Sequence, residues 1–176
     1  MTLRRPPNAD ELIDEDAFDE DEFLPYWAEL WASGIALARV IPLLNVRGKH
    51  IVELGAGLGL PSLAAAICGA DVLATDWAGD AVALLRTNAK RNSIRLRVRR
   101  VRWDEPEQLV RRAPWDLVLC ADLLYEQRNA TQLLDLLPRL GADTVLADPG
   151  RPFLKGFLEH WRVETLADGV FRLRLP

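Results

Sequence analysis

Residues 51–59 read IVELGAGLG: an apolar run passes through Glu53 and opens into glycines at 55, 57 and 59. Twenty-three residues after Glu53, the next apolar run ends in Thr75-Asp76-Trp77. A strand, a glycine turn, a helix and a second strand tipped with an acid fit a sheet wound with crossover helices. Glycines at these positions permit positive φ and leave no side chain between the backbone and a ligand. The helix that follows directs unpaired N–H groups toward the loop. A carboxylate at the tip of the second strand suits a pair of ribose hydroxyls. The pattern therefore points to a nucleoside-bearing ligand held by Glu53, Gly55, Ala56, Gly57 and Gly59 on one side and Asp76 on the other; a plain strand-to-helix turn is the alternative.

The dinucleotide fingerprint places a further glycine three residues after its second one, where the helix packs beside a pyrophosphate. Counting from Gly57, that position holds Leu60. An NAD-dependent dehydrogenase would need that missing glycine and a hydride-transfer site that no residue supplies.

The rest of the chain repeats the same alternation. Residues 23–44 carry helical spacing at Trp27, Leu30, Trp31, Ile35 and Ala38, with a break expected at Ser33-Gly34, where Ser33 suits an N-cap. Trp27 reads as a core residue. Strands are expected at 49–54, 71–75, 95–102, 115–121 and 143–147. Helices are expected at 60–68, 80–91, 105–112, 128–137 and 152–160, with Asp80 as an N-cap and Asp104 with Glu107 forming a capping box. Two last β-rich pieces, 161–166 and 170–175, flank Asp168-Gly169, a hairpin signal. The expected fold is α/β: a doubly wound, mostly parallel, seven-stranded Rossmann-like sheet closed by a C-terminal antiparallel hairpin.

At 176 residues and 49% hydrophobic content, one core is expected, in a single domain over 23–176. No apolar run reaches membrane-spanning length and no secretory leader is apparent, so a cytoplasmic protein is expected. Cys68 and Cys120 sit in apolar contexts and read as small core residues, while His50 and His160 stand apart from each other and from any cysteine. No metal site is expected. Nine acids and no base lie between residues 10 and 22; removing their charge from the net −4 leaves +5 on the remainder. That stretch, within residues 1–22, reads as a solvated, mobile acidic tail. Arg95, Arg97, Arg99, Arg100 and Arg102 alternate with Leu96, Val98 and Val101, which describes an edge strand guarded by charge. Without interleaved aromatics, a nucleic-acid partner is disfavoured.

Four strand ends carry the candidate chemistry: Glu53 with the glycines, Asp76-Trp77, Trp103-Asp104 and Ala121-Asp122. In open α/β sheets, ligands collect at these carboxyl ends. With the Trp-Ala-Glu-Leu-Trp-Ala-Ser-Gly segment at 27–34, the ELGAGLGLPSLAAA loop and helix, and Asp122-Leu123-Leu124-Tyr125, the chain resembles the seven-strand S-adenosylmethionine-dependent methyltransferases. It is most similar to the small protein-lysine methyltransferase group with its Asp-x-x-Tyr motif. Asp148-Pro149-Gly150-Arg151 is similar to a stretch in the branch acting on the electron transfer flavoprotein beta subunit. The Asn/Asp-Pro-Pro-Tyr motif of enzymes methylating adenine or glutamine amines is absent.

The resemblance implies S-adenosyl-L-methionine as cofactor. It places Gly55, Gly57 and Gly59 at its methionine part and Asp76 at its ribose. Trp77 would lie against the adenine, Trp103 and Asp104 would close its far side, and Trp31 would cover the methionine end. Ala121 belongs to the same shell, and Asp122 and Tyr125 are the expected catalytic pair.

A lysine acceptor must first lose a proton, which from a reference pKa of about 10.4 costs about 4.6 kcal/mol at neutral pH. Asp122 is too weak a base to remove it and would favour the ammonium, so its expected role is to capture and orient the amine, water taking the proton. A helix-start residue is the plainer reading of Asp122, and Arg151 reads as holding its turn. Transfer to a lysine of a protein partner is expected first, with a small-molecule acceptor or a non-catalytic cofactor-binding regulator as alternatives.

Overall fold

The computed structural model describes residues 1–6 and 26–176. Of the acidic mobile tail expected over 1–22, residues 7–22 lie outside them. After a short 3-10 turn at Tyr26–Ala28 come α1 (Ala32–Val40), a second 3-10 turn (Ile41–Leu43), β1 (His50–Leu54), α2 (Leu60–Ile67) and β2 (Asp71–Asp76). Then follow α3 (Gly79–Arg91), β3 (Arg97–Arg100), α4 (Glu107–Val110), β4 (Leu117–Ala121) and α5 (Gln127–Leu140). The chain continues with β5 (Asp143–Ala147), α6 (Leu154–Leu158), β6 (Arg162–Ala167) and β7 (Val170–Arg174).

The strands form one seven-stranded sheet in the order β3-β2-β1-β4-β5-β7-β6, as the alternating pattern predicts. β1 to β5 pair in parallel, while β7 runs antiparallel to both of its neighbours. Strands of period two send alternate residues to opposite faces. Val52, Leu54, Val118, Cys120 and Leu146 pack beneath α5, whose Leu133, Leu136, Leu137 and Leu140 are buried. Ile51, Leu117, Leu119, Val145 and Ala147 face the other way, toward Leu37, Val40 and Ile41 around α1. Burial on both faces explains why the central strands read as continuous apolar runs.

Several boundaries differ from expectation, each for a physical reason. β3 shrinks to four residues because its pairing with β2 runs only from Leu73↔Arg97 to Asp76↔Arg100. It forms the sheet edge, its arginines exposed, as its alternation predicts. α4 is a single turn that starts after Pro106, so Asp104 and Glu107 form no capping box. α5 runs through Pro138 to Leu140, where the expected stop was Leu137; the buried Leu136, Leu137 and Leu140 outweigh the one lost backbone bond, and left-handed Gly141 ends the helix. α3 is capped by Ala78, which leaves Asp80 as an exposed first-turn residue. Cys120 is buried, but Cys68 is only half-buried.

Residues 1–6 dock on α3 through a pairing invisible in the pattern. Asn92 accepts from the Thr2 N–H at 2.8 Å and donates to the Thr2 carbonyl at 2.8 Å. One turn earlier, Asn88 accepts from Arg4 N–H at 2.7 Å and donates to its carbonyl at 3.1 Å. Two side-chain amides four apart on one helix face thus imitate the edge of a strand.

The sheet order reverses between β1 and β4, and the carboxyl ends of β2, β1, β4 and β5 converge there. A crevice at this switch point is where such a sheet binds ligands.

Candidate functional site

One cavity of about 370 Å³ opens at that switch point. All thirteen residues singled out from the sequence line it, from Trp31 and the glycine loop to Asp122 and Tyr125. A volume in this range suits a small organic ligand.

The floor is the turn after β1. Gly55, Gly57 and Gly59 all adopt left-handed backbone, at φ 59°, 49° and 82°. A Cβ on Gly59 would meet Leu85 Cδ1 at 2.0 Å, and one on Gly55 would meet Leu123 Cδ2 at 2.5 Å. A Cβ on Gly57 would approach the Trp27 carbonyl oxygen at 3.1 Å. The glycines are therefore demanded by backbone conformation and by packing inside the protein, over and above any ligand. Several loop amides are also already engaged: Ala56 N–H donates to the Thr75 carbonyl, Gly59 N–H to that of Ala56, and Gly57 N–H to Asp76 Oδ2. What the loop offers a ligand is close approach of its backbone.

Glu53 explains how α2 can begin without a capping side chain. Its N-cap is Gly59, Pro61 has no N–H, and the Ser62 N–H donates to Glu53 Oε2 at 2.8 Å. The Ser62 hydroxyl donates to the same oxygen. Glu53 is 1% exposed, and burial pushes its carboxyl up to about 8, against the downward pull of the Ser62 bonds. It is a remote cap for the helix as well as part of the cavity floor.

Asp76, at the tip of β2, accepts the Gly57 N–H at 2.9 Å on Oδ2 and the Ala78 N–H at 3.0 Å on Oδ1. Burial raises its pKa, and those backbone bonds oppose the rise. Each oxygen keeps a lone pair for a ligand hydroxyl, which fits a vicinal diol. Trp77 and Trp103 flank this end half-buried. Asp104 is held by Arg102 in a two-bond fork, at 3.0 and 2.7 Å.

The opposite end is made by side chains meeting one another. Asp122, 7% exposed, has φ 59°, a conformation that short polar residues tolerate best and that clusters at functional sites. It is a strand-tip residue; the next helix starts at Gln127, which removes the reading of Asp122 as a helix start. Its Oδ1 accepts from Arg151 Nε at 2.8 Å and its Oδ2 from the Ser33 hydroxyl at 3.3 Å. Ser33 is therefore no N-cap: α1 begins one residue earlier, after Trp31. Trp27 is likewise half-buried on the cavity wall instead of in the core. Tyr125 stacks at a tilt against Tyr26, with ring centroids 5.0 Å apart, and burial raises its phenol pKa. Trp31 donates its indole N–H to the Tyr26 carbonyl at 2.8 Å, and Arg151 Cζ lies 5.7 Å from the Trp31 ring centroid.

Sequence reasoning missed Ser33, Tyr26 and the pairing of Arg151 with Asp122. Arg151 had one available signal, the acid-proline-glycine turn that projects it from the tip of β5. Among the described residues no cluster of histidine, cysteine and acid could hold a metal, and no helix is long and apolar enough to cross a membrane.

Comparison with known proteins places this geometry. Residues 18–146 match a family model described as lysine methyltransferase. The electron transfer flavoprotein beta subunit lysine methyltransferase of Xenopus laevis is 35% identical over 72% of this chain and 53% of its own length. The human protein of the same name is 33% identical over 75% of this chain and 52% of its own. Protein N-lysine methyltransferase METTL21A of Danio rerio is 32% identical over 68% and 58%. The chain thus spans about half the length of the curated relatives it matches. Among solved structures, the T. thermophilus 16S rRNA N2 G1207 methyltransferase, in complex with AdoMet and guanosine, superposes with a TM-score of 0.66 at 19% identity, covering 82% of this chain and 43% of that one. Magnesium protoporphyrin IX methyltransferase from Synechocystis gives 0.61 at 15% identity, covering 90% and 91%. The sheet, the strand-tip cavity and the family match agree: this chain belongs to the lysine methyltransferase family.

Proposed function

We propose that the chain is an S-adenosylmethionine-dependent methyltransferase acting in the cytoplasm on a lysine side chain of a protein. The single observation that carries the reading is one cavity walled at one end by a diol-ready carboxylate, Asp76, and at the other by a buried carboxylate and aromatic rings, Asp122 with Tyr125 and Tyr26. The first end suits the ribose and adenine of the cofactor, with Trp77 and Trp103 beside the base. Gly55 to Gly59 and Trp31 would border its methionine part. Bound there, the sulfonium supplies an electrophilic methyl carbon: the amine lone pair forms the new N–C bond, the C–S electrons stay on sulfur, and the amine's proton goes to water.

The chain's own work is to align the amine and exclude competing nucleophiles. Asp122 would orient the N–H bonds of the acceptor, and the rings of Tyr26 and Tyr125 would wall its channel. Relatives named as lysine methyltransferases of an electron transfer flavoprotein subunit support a protein acceptor. A nucleic-acid acceptor is disfavoured, since three of the arginines at the β3 edge are used locally: Arg97 pairs with Asp71, Arg100 bonds the Trp77 carbonyl and Arg102 holds Asp104.

The test incubates purified protein with methyl-labelled S-adenosylmethionine and a lysate. Label in a protein band, recovered as methyl-lysine after hydrolysis, is expected. Label in the low-mass fraction would instead mark a small-molecule acceptor, and binding without transfer a regulator. Asp122→Ala is expected to lower transfer by about a hundredfold or more while cofactor affinity by calorimetry changes by no more than about threefold. Loss of cofactor binding in a folded variant would move Asp122 into the cofactor shell.

A further inference from the structure

The Asp122 carboxylate poses a chemical difficulty for the proposed reaction. An opposite charge within reach of an ammonium raises its pKa, by about one to three units for a close pair, and so disfavours the free amine that must attack. The geometry points to Arg151 as the positioning residue that neutralises Asp122, so that the acceptor amine meets a balanced ion pair in place of a lone anion. This inference rests on the reading of the site given above.

Arg151 is held in three ways. Its Nε donates to Asp122 Oδ1 at 2.8 Å, its guanidinium lies over the Trp31 ring, and its backbone N–H donates to Asp148 Oδ1 at 2.7 Å. Asp148, itself 2% exposed, also accepts the Gly150 N–H at 2.8 Å, which fixes the turn that projects Arg151 from β5. The bond uses Nε of a planar, permanently charged group, and the Arg151 side chain is 32% exposed against 5% for Asp122. The cation therefore covers the carboxylate from the solvent side. Lone pairs on Asp122 remain to accept N–H bonds from a neutral amine, so orientation survives while net charge at the strand tip is cancelled.

Other charges face this pair. Asp148 and Tyr26 lie near the guanidinium, and both help to raise its pKa after the larger effect of the Asp122 bond. Glu126 at the mouth is already paired with Arg128 at 2.5 Å, and Glu29 borders the opening. Burial raises the Asp148 pKa, the backbone bonds from Arg151 and Gly150 oppose the rise, and the Asp122 and Arg151 charges act on it in opposite directions.

The experiment uses the full chain, S-adenosylmethionine, and as acceptor the protein labelled in the assay above, purified. The pH dependence of kcat reports the amine in the bound complex. Relative to the unchanged chain, Arg151→Gln is expected to move the inflection up by about one unit or more, lower KM, and cut kcat at neutral pH about tenfold. By about pH 10 its kcat should return to within roughly threefold, and Arg151→Lys, which keeps the charge, should leave the inflection in place. Cofactor affinity by calorimetry should stay within about threefold in both variants. Should the glutamine variant fail to fold, Asp122→Asn leaves Arg151 as a lone cation, and the inflection should then move down.

An unmoved inflection in Arg151→Gln, or in Asp122→Asn, overturns the inference. So does a faster Arg151→Gln at neutral pH, which would make the guanidinium a plug in the amine's seat. A wild-type chain that binds no S-adenosylmethionine or labels no amine fails at the earlier step, and that failure belongs to the proposed function.

Discussion

At the tips of β1 and β2 the buried acids are held mainly by backbone amides, whereas at the tip of β4 the buried acid is held by other side chains. Glu53 holds the Ser62 amide, and Asp76 holds the amides of Gly57 and Ala78. Across the cavity, Asp122 is held by Ser33 and Arg151, and Tyr125 leans on Tyr26. The first arrangement ties the acids to the backbone, as a cofactor common to many acceptors would require. The second rests on contacts between side chains, and that is where selectivity for an acceptor can be written.

The comparison breaks most plainly if the β1 end tolerates side chains. Gly59→Val places a branched residue at φ 82° with its Cβ 2.0 Å from Leu85 Cδ1. Strain and overpacking together predict a loss of about 3 kcal/mol or more, read by urea unfolding. A loss under about 1 kcal/mol would show a pliable loop.

Glu53→Gln sharpens it next. The folded carboxyl holds its proton up to about 8, while the unfolded one releases it near the ordinary value of 4.5. Its stabilising contribution is therefore complete below that lower value and drains away as pH rises between the two. Glutamine has no proton to release. Unfolding free energies at pH 5 and pH 8 should show wild type losing about 2 kcal/mol or more relative to the variant. Parallel pH profiles for the two proteins would mean that Glu53 is ionised in the folded chain.

The smallest effect is expected on the far side. If the Tyr125 ring is the wall of the channel, Tyr125→Phe keeps the contact with Tyr26 and kcat stays within about threefold. A drop of about thirtyfold or more would make the hydroxyl a partner of the amine and bring this end closer to the hydrogen-bonded order of the other.

The same contrast explains what could be read from the chain. The β1 end is local: Glu53, the three glycines and Ser62 lie within ten residues, and Asp76 follows one helix later, so spacing alone exposes them. The β4 end is assembled from distant pieces. Ser33 lies 89 residues before Asp122, and Arg151 lies 29 after it. Nothing in a hydrophobic period announces such a meeting, which depends on β4 and β5 being neighbours and on α1 crossing their ends. The places of Trp27 and Ser33 differ from expectation for the same cause, since helical spacing and N-cap preference are local rules and the cavity wall is a tertiary one. The docking of residues 1–6 on Asn88 and Asn92 escaped entirely, because two asparagines on a helix look like ordinary polar surface.

The left-handed bend at Asp122 carries a consequence for how such a protein can diverge. With φ at 59°, longer or branched side chains are strained there, and aspartate, asparagine and glycine are the residues that sit in it most easily. A lineage changing its acceptor can thus trade acid for amide at this one position with little cost to the scaffold. A shift to lysine, threonine or valine would require the backbone to be rebuilt first, so the peptide conformation sets the short menu from which new specificities can be drawn.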